Sequence, residues 1–299
     1  MIVRIRVPAS TTNLGPGFDA LGMALRLHNR LEVEAAARPA VEIEGEGADR
    51  LPADPSNLVY RTAADLLAEA GRPQPALRIR LRNEVPVGRG LGSSATAIVG
   101  GLLAANALLG EPFSREELLR RAVQLEGHPD NVTPALMGGL QVVTRAAGEV
   151  IHLRLPTPAG LHAVVAVPDL EIATADARAV LPACVAREDA VFNVGRAALL
   201  VAALTQGRPD LLGAGMADRL HQPYRARLLP GFEAALAAAR AAGACGACLS
   251  GSGSSLLALT RGQVAEVGAA MCDALHAAGL RCRWMALEVD EQGAVLEAV

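Results

Sequence analysis

Pro86-Val-Gly-Arg-Gly-Leu-Gly-Ser-Ser-Ala-Thr96 alternates three glycines with other residues, sets two serines behind them and leads into a long run of small apolar residues. The segment before it, Leu77-Arg-Ile-Arg-Leu-Arg82, alternates apolar and charged residues, the period of a strand with one buried face. The segment after it, Ala95 to Leu109, has the composition of a helix stopped by Gly110 and Pro112. Strand, glycine loop and helix together present backbone N–H groups and a helix N-terminus to an anion. The stretch therefore reads either as a phosphate cradle or as a tight glycine turn into a core helix.

Composition narrows the choice of chemistry. The 299 residues are 51% hydrophobic and 20% charged, enough for a packed core in one large or two ordinary domains. Aromatics are only 2%, so alanine, leucine, valine and glycine must fill the interior. Lysine is absent, which excludes a Walker A lysine, the strand lysine of protein kinases and Schiff-base catalysis. Any phosphate bound here must rest on backbone amides, a metal ion and arginine. A net charge of −3 without a basic block argues against a nucleic-acid surface. No apolar run approaches the ~20 residues that span a bilayer. The N-terminal Met-Ile-Val-Arg-Ile-Arg-Val-Pro lacks a signal-peptide core, so a soluble cytoplasmic protein is expected. The five cysteines form no disulfide framework, and Cys245-Gly-Ala-Cys248 is expected as two small residues on a buried strand.

Outward from the glycine stretch, residues 2–7 read as a strand and 8–19 as a polar loop. Residues 21–46 read as one long strand or a hairpin broken near Arg38-Pro39. Pro55-Ser-Asn57 opens a helix that stops at Gly71. Ser114-Arg-Glu-Glu117 is a capping box for a helix with Leu118, Leu119, Ala122 and Leu125 on one face, ending at Gly127. Pro156-Thr-Pro-Ala-Gly160 is dense in turn formers and marks the expected junction between domains 1–158 and 159–299. Beyond it, strands are expected at 162–167, 247–249, 255–259 and 281–289. Helices are expected near 173–181, 187–206, 231–242 and 264–278. Strands and helices mix without a βαβ repeat, which indicates an α+β fold.

Two more loops share the character of the first: Pro8-Ala-Ser-Thr-Thr-Asn-Leu-Gly-Pro-Gly-Phe-Asp-Ala-Leu-Gly22 and Leu249-Ser-Gly-Ser-Gly-Ser-Ser255. In order, the three resemble the motifs of the GHMP kinases, whose phosphate loop runs Pro-x-x-x-Gly-Leu-Gly-Ser-Ser-Ala. Glu126-Gly-His-Pro-Asp-Asn-Val132, Thr174-Ala-Asp-Ala-Arg178 and Leu220-His-Gln-Pro-Tyr-Arg225 are most similar to the homoserine kinase branch. The resemblance implies an N-terminal domain like ribosomal protein S5 domain 2, a ferredoxin-like C-terminal domain, a site between them and a homodimer.

It also implies roles. ATP would lie over Pro86, Val87, Gly88, Arg89, Gly90, Leu91, Gly92, Ser93, Ser94, Ala95 and Thr96, with Asn57 at the adenine. One helix end contributes only ~0.3–1 kcal/mol to anion binding when exposed and up to ~2 when partly buried. Without lysine, Mg²⁺ is therefore expected, on Ser94 and Glu126. L-homoserine carries an ammonium, a carboxylate and the acceptor hydroxyl. Asp19 with Asn13 suits the ammonium, and Arg178 and Arg225 suit the carboxylate. The resemblance adds His128, Asn131 and Thr174 to the substrate site. Where some GHMP kinases set an aspartate beside the attacking hydroxyl, this chain has Asn131, which cannot take a proton. General-base catalysis supplies about 3–5 kcal/mol and positioning about 7–11 kcal/mol. Direct attack is therefore expected, with Arg178 stabilising the transferred charge and Asp130 the residue that could overturn this. Phosphorylation of another small alcohol such as mevalonate, and a non-catalytic ligand sensor, are the competing readings. Asp19 disfavours the former, since mevalonate has no ammonium, and intact Ser94 and Glu126 disfavour the latter.

Overall fold

Charged and apolar residues alternate through the first strands, and in the computed structural model, which describes residues 1–71 and 76–297, that alternation becomes a sheet with one face buried. The first half runs β1 (Ile2–Thr12), β2 (Leu21–Ala36), β3 (Ala40–Gly45), α1 (Leu58–Glu69), β4 (Ala76–Asn83), α2 (Ser93–Leu108), α3 (Arg115–Glu126), α4 (Pro129–Met137), β5 (Leu140–Ala146) and β6 (Glu149–Leu155). Leu77, Ile79 and Leu81 of β4 face the core while the arginines between them face solvent. The helix α2 is apolar all round, and accordingly it is buried on most sides beneath α1, α3 and the sheet.

The second half runs β7 (His162–Pro168), α5 (Thr174–Ala179), α6 (Arg187–Thr205), α7 (Leu212–Gly215), α8 (Gln222–Arg225), α9 (Phe232–Ala241), β8 (Gly246–Leu249), β9 (Leu256–Thr260), α10 (Val264–Ala277), β10 (Cys282–Leu287) and β11 (Val295–Glu297). Four of its five strands lie in the order β10-β7-β9-β8, all antiparallel, which is the ferredoxin-like arrangement. The first sheet has the order β11-β1-β2-β4-β3, with β5 and β6 continuing from β2. Thus Val295–Glu297, far beyond the Pro156–Gly160 segment, returns to lie beside β1. Ala9, Leu25 and Leu140 from one sheet pack with Val165 and Leu257 from the other in a shared apolar cluster.

Three local expectations change. Residues 21–46 are not a hairpin: β3 pairs in parallel with β4, Val41 opposite Ile79, and not with β2. The strand β1 continues through Pro8–Thr12, which the polar composition had disguised as loop. A register shift between Pro8 and Ala9 accommodates the proline, whose missing N–H suits a bulge. Leu125 is 50% exposed. The buried stripe of α3 follows Leu119, Ala122 and Glu126, at steps of three and four, so the inward position of the last turn goes to a carboxylate. The capping box of Ser114 and Glu117, and the stop at Gly127, stand as expected. All five cysteines are free thiols, and Cys248 is buried on β8. Among the described residues, no helix is long and apolar enough to cross a membrane.

Candidate active site

The three glycine-rich loops meet. Gly88, Gly90 and Gly92 have φ of +67°, +73° and +72°, a conformation that favours glycine. A methyl group on Gly90 would also overlap the Ser250 carbonyl, and one on Gly92 the Ser10 hydroxyl. The neighbours explain this. Ser10 N–H donates to Leu91 O (3.1 Å) and Ser255 N–H to Arg89 O (3.0 Å). Ser250 Oγ donates to Gly90 O (2.7 Å), and Gly251 N–H to Thr12 O (3.2 Å). The first and third loops thus clamp the middle one, and a cavity of about 350 Å³ opens beside them.

The side of that cavity next to the glycine loop is lined by Val87, Gly88, Arg89, Gly90, Gly92, Ser93, Ser94 and Thr96. Gly92 caps α2, and among the described residues no side-chain cap hydrogen bond occupies its first turn. Pro86, Leu91 and Ala95 do not line the cavity; all three are buried beneath the loop, where apolar side chains pack. Thr96 Oγ1 donates to Ser93 O (2.7 Å) and accepts from Asn29 (2.8 Å), so it pins the turn from below. Arg89 swings to Asp169 (3.3 Å) and Glu171 (3.8 Å), and is held by carboxylates of the second half. Asn57 caps α1 by accepting from Val59 N–H (3.0 Å), and it donates to Pro52 O (2.9 Å). Its amide faces the same cavity with one N–H and one lone pair in reserve.

Ser94 and Glu126, 32 residues apart, are in contact: Ser94 Oγ donates to Glu126 Oε1 (2.6 Å). Burial pushes the Glu126 carboxyl up from its ordinary range, partly offset by the Ser94 hydrogen bond. Among the described residues its one basic neighbour within 4 Å is the His128 ring, at 3.9 Å. A hydroxyl beside a buried carboxylate that lacks an arginine, at the mouth of a helix N-terminus, is a donor set that suits Mg²⁺ completed by phosphate and water. Among the described residues no trio of His, Cys, Asp or Glu is disposed to hold a metal alone.

The far end of the cavity is built from four elements. Asn13 and Asp19 both adopt positive φ, and Asn13 Oδ1 accepts from Asp19 N–H (3.1 Å) while its amide donates to Gly251 O (3.0 Å). Thr174 and Arg178 lie one turn apart on α5. Arg178 forms a two-pronged ion pair with Asp19 (2.9 and 3.1 Å), which raises its own pKa. Arg225, on α8, is 3% exposed and, among the described residues, touches no carboxylate. It donates to Ala177 O and Gly251 O, both at 3.1 Å, and burial followed by the nearby Arg178 lowers its pKa to about 10. Both guanidiniums lie over the Phe18 ring, Arg178 at 5.7 Å and Arg225 at 5.2 Å from its centroid. His128 Nδ1 pairs with Asp130 (2.8 Å). Burial alone would lower the His128 pKa, but Asp130 and then Glu126 outweigh it and the value rises. Asn131 Oδ1 accepts from Ser10 Oγ (2.9 Å).

Phe18 and His221 join the site without a role expected from the sequence. Each had a signal: Phe18 precedes Asp19 in a chain with four phenylalanines, and His221 opens the His-Gln-Pro-Tyr-Arg segment.

Comparison with known proteins gives the family. The model for the GHMP kinases N terminal domain matches residues 57–139, and that for the GHMP kinases C terminal region matches residues 200–277. The chain belongs to the GHMP kinase family. A GHMP kinase takes ATP as its phosphoryl donor. Similar proteins include a homoserine kinase from Moorella thermoacetica, 48% identical over 98% of this chain and 99% of its own. Another, from Desulfitobacterium hafniense, is 44% identical over 99% and 100%. The crystal structure of homoserine kinase from Cytophaga hutchinsonii superposes with a TM-score of 0.89 at 33% identity, over 99% of this chain and 97% of its own.

Proposed function

We propose that this GHMP kinase transfers the γ-phosphoryl group of ATP to the hydroxyl of L-homoserine, giving ADP and O-phospho-L-homoserine, a step toward threonine. The observation that carries the reading is the far end of the cavity. It offers a carboxylate (Asp19) within reach of two guanidiniums (Arg178, Arg225), one of which has no carboxylate partner of its own. An α-amino acid is the complement of that set, an ammonium for Asp19 and a carboxylate for Arg225 and Arg178. Asn13, Thr174 and His128 fill in around them.

In this reading residues 1–158 carry the nucleotide on Gly88–Ser94, and residues 159–299 bring Thr174, Arg178 and Arg225 to the acceptor. Ser94 and Glu126 would hold Mg²⁺, which when bound would supply the cationic charge that lysine gives elsewhere. Asn131 orients the acceptor hydroxyl. The hydroxyl oxygen bonds to the γ-phosphorus, the bond to the bridging oxygen breaks toward ADP, and the hydroxyl proton leaves onto the phosphoryl oxygens. Positioning carries this step, with Arg178 stabilising the transferred charge. The same reading makes the enzyme cytoplasmic, and its resemblance to the family makes it a homodimer.

An ADP-release assay over a panel of small alcohols tests it. Homoserine should turn over at least 100-fold faster than mevalonate or simple alkanols. Activity confined to a non-amino-acid alcohol overturns the acceptor assignment and leaves the phosphoryl-transfer chemistry in place.

A further inference from the structure

Arg225 is a buried guanidinium whose aim is set by what holds it, and one of its holders is unusual. His221, one turn earlier, is fully buried, and its ring makes two bonds of opposite sense. Its Nε2 lies 2.7 Å from Gly15 O, an acceptor, so Nε2 must carry the proton. Its Nδ1 lies 3.3 Å from Arg225 Nη1, a group that can only donate, so Nδ1 must be bare. Only the neutral Nε2–H tautomer satisfies both contacts. The ring also stacks on Phe18 with centroids 5.1 Å apart and planes 22° from parallel. Phe18 in turn underlies both guanidiniums. Asp218 locks the segment from below. Its carboxylate accepts from the backbone N–H groups of Leu220, His221 and Gln222, and from the Asn193 amide.

We propose that His221 is a positioning residue for the acceptor site. As a neutral, single-tautomer imidazole it points the Arg225 guanidinium toward the acceptor carboxylate and ties the first glycine loop, through Gly15, to the same arginine. This rests on the homoserine reading above. The charged groups facing the ring are Asp218 at 3.6 Å, Arg225 and Asp19. Burial holds its pKa below the ordinary histidine value, against the opposing pull of Asp218. Protonation at Nδ1 would set two donors against each other and turn Arg225 away.

Two substitutions separate the bonds. An asparagine oxygen can stand near the Nδ1 position, so His221→Asn keeps an acceptor for Arg225 and loses the donor to Gly15. A glutamine amide can reach the Nε2 position, so His221→Gln keeps the Gly15 bond and leaves Arg225 unaccepted. Steady-state kinetics should show KM for homoserine raised roughly 10–100-fold in His221→Gln, the usual size for one hydrogen bond to a charged group. KM for ATP should stay within twofold, and His221→Asn should recover most of the loss. An unchanged homoserine KM in His221→Gln, or equal losses in both variants, overturns the proposal. In the unmutated protein, ¹⁵N NMR of the histidine rings at pH 7 should show a protonated Nε2 and a bare Nδ1 for His221. A doubly protonated ring, or the opposite tautomer, also overturns it. The ring spectrum needs no turnover, and failure of wild-type protein to phosphorylate homoserine would instead strike the acceptor reading.

Discussion

Asp19 and Arg178 lie 159 residues apart and close a two-pronged ion pair at the acceptor end of the cavity, Nη2 to Oδ1 at 2.9 Å and Nη1 to Oδ2 at 3.1 Å. Each belongs to the homoserine site proposed above, so an incoming amino acid must exchange with this pair. Asp19→Ala should therefore raise KM for homoserine by roughly 10–100-fold, the scale of a lost charged hydrogen bond, with KM for ATP changed less than threefold. Equal effects on both substrates would remove Asp19 from the acceptor site.

Glu126 meets Ser94 at the start of α2 with no arginine against it. Chelation of Mg²⁺ should abolish turnover, and added Mg²⁺ should restore it. Glu126→Gln should lower kcat by at least about 100-fold at saturating Mg²⁺, since a metal supplies several kcal/mol of transition-state stabilisation. A variant with wild-type kcat and an unshifted Mg²⁺ titration would place the metal elsewhere.

Asp130 is nearly buried and is paired with His128 rather than free in the cavity. Under direct attack, Asp130→Asn should keep kcat within about 10-fold of wild type. A loss in the range of about 10²–10⁴-fold with both KM values intact is the size expected of a general base, and would sink the direct-attack mechanism.

Gly90→Ala combines a positive φ with overlap against the Ser250 carbonyl, whereas Gly148, also at positive φ, has open space around its missing Cβ. Gly148→Ala should cost only the dihedral term, about 1–2 kcal/mol. Gly90→Ala should cost clearly more in thermal stability and should weaken ATP binding. Parity between the two variants would mean that the loops do not press on one another in solution.

His128 has a raised pKa in the folded chain. A raised folded value means that the histidine's contribution is fully present below the unfolded pKa of about 6.5. It is lost as pH rises through the folded value. The thermal stability of wild type relative to His128→Gln should therefore be greater at pH 6 than at pH 8.5. A gap that widens with pH contradicts the ion pair with Asp130.

The elements themselves were legible wherever one physical rule governed. β4 alternates, α3 carries a capping box, and Asn57 caps α1; each is local. The misreadings share a different cause. Pro8–Thr12 looks like loop because its residues are polar, but their hydroxyls serve the other glycine loops, as in Thr11 to Ser250 at 2.8 Å. β3 looked like half of a hairpin because nothing near it in sequence names β4 as its partner. Leu125 looked buried because apolar residues usually are, yet the inward position had gone to Glu126. For the site, residue types announced the anion and the cations, but not that Asp19 would pair with Arg178, nor that His221 would hold Arg225. Those are relationships between distant segments, and a single sequence carries no local mark of them.

The strand Val295–Glu297 completes the edge of β1, with Ile5 opposite Leu296, while Arg115 donates to Ala294 O just before it. During synthesis, β1 therefore leaves the ribosome about 290 residues ahead of its outer partner. The strand leading into the first glycine loop waits with an unpaired edge until Val295–Glu297 emerges. An N-terminal fragment, however well its helices form, would keep that edge open to other chains.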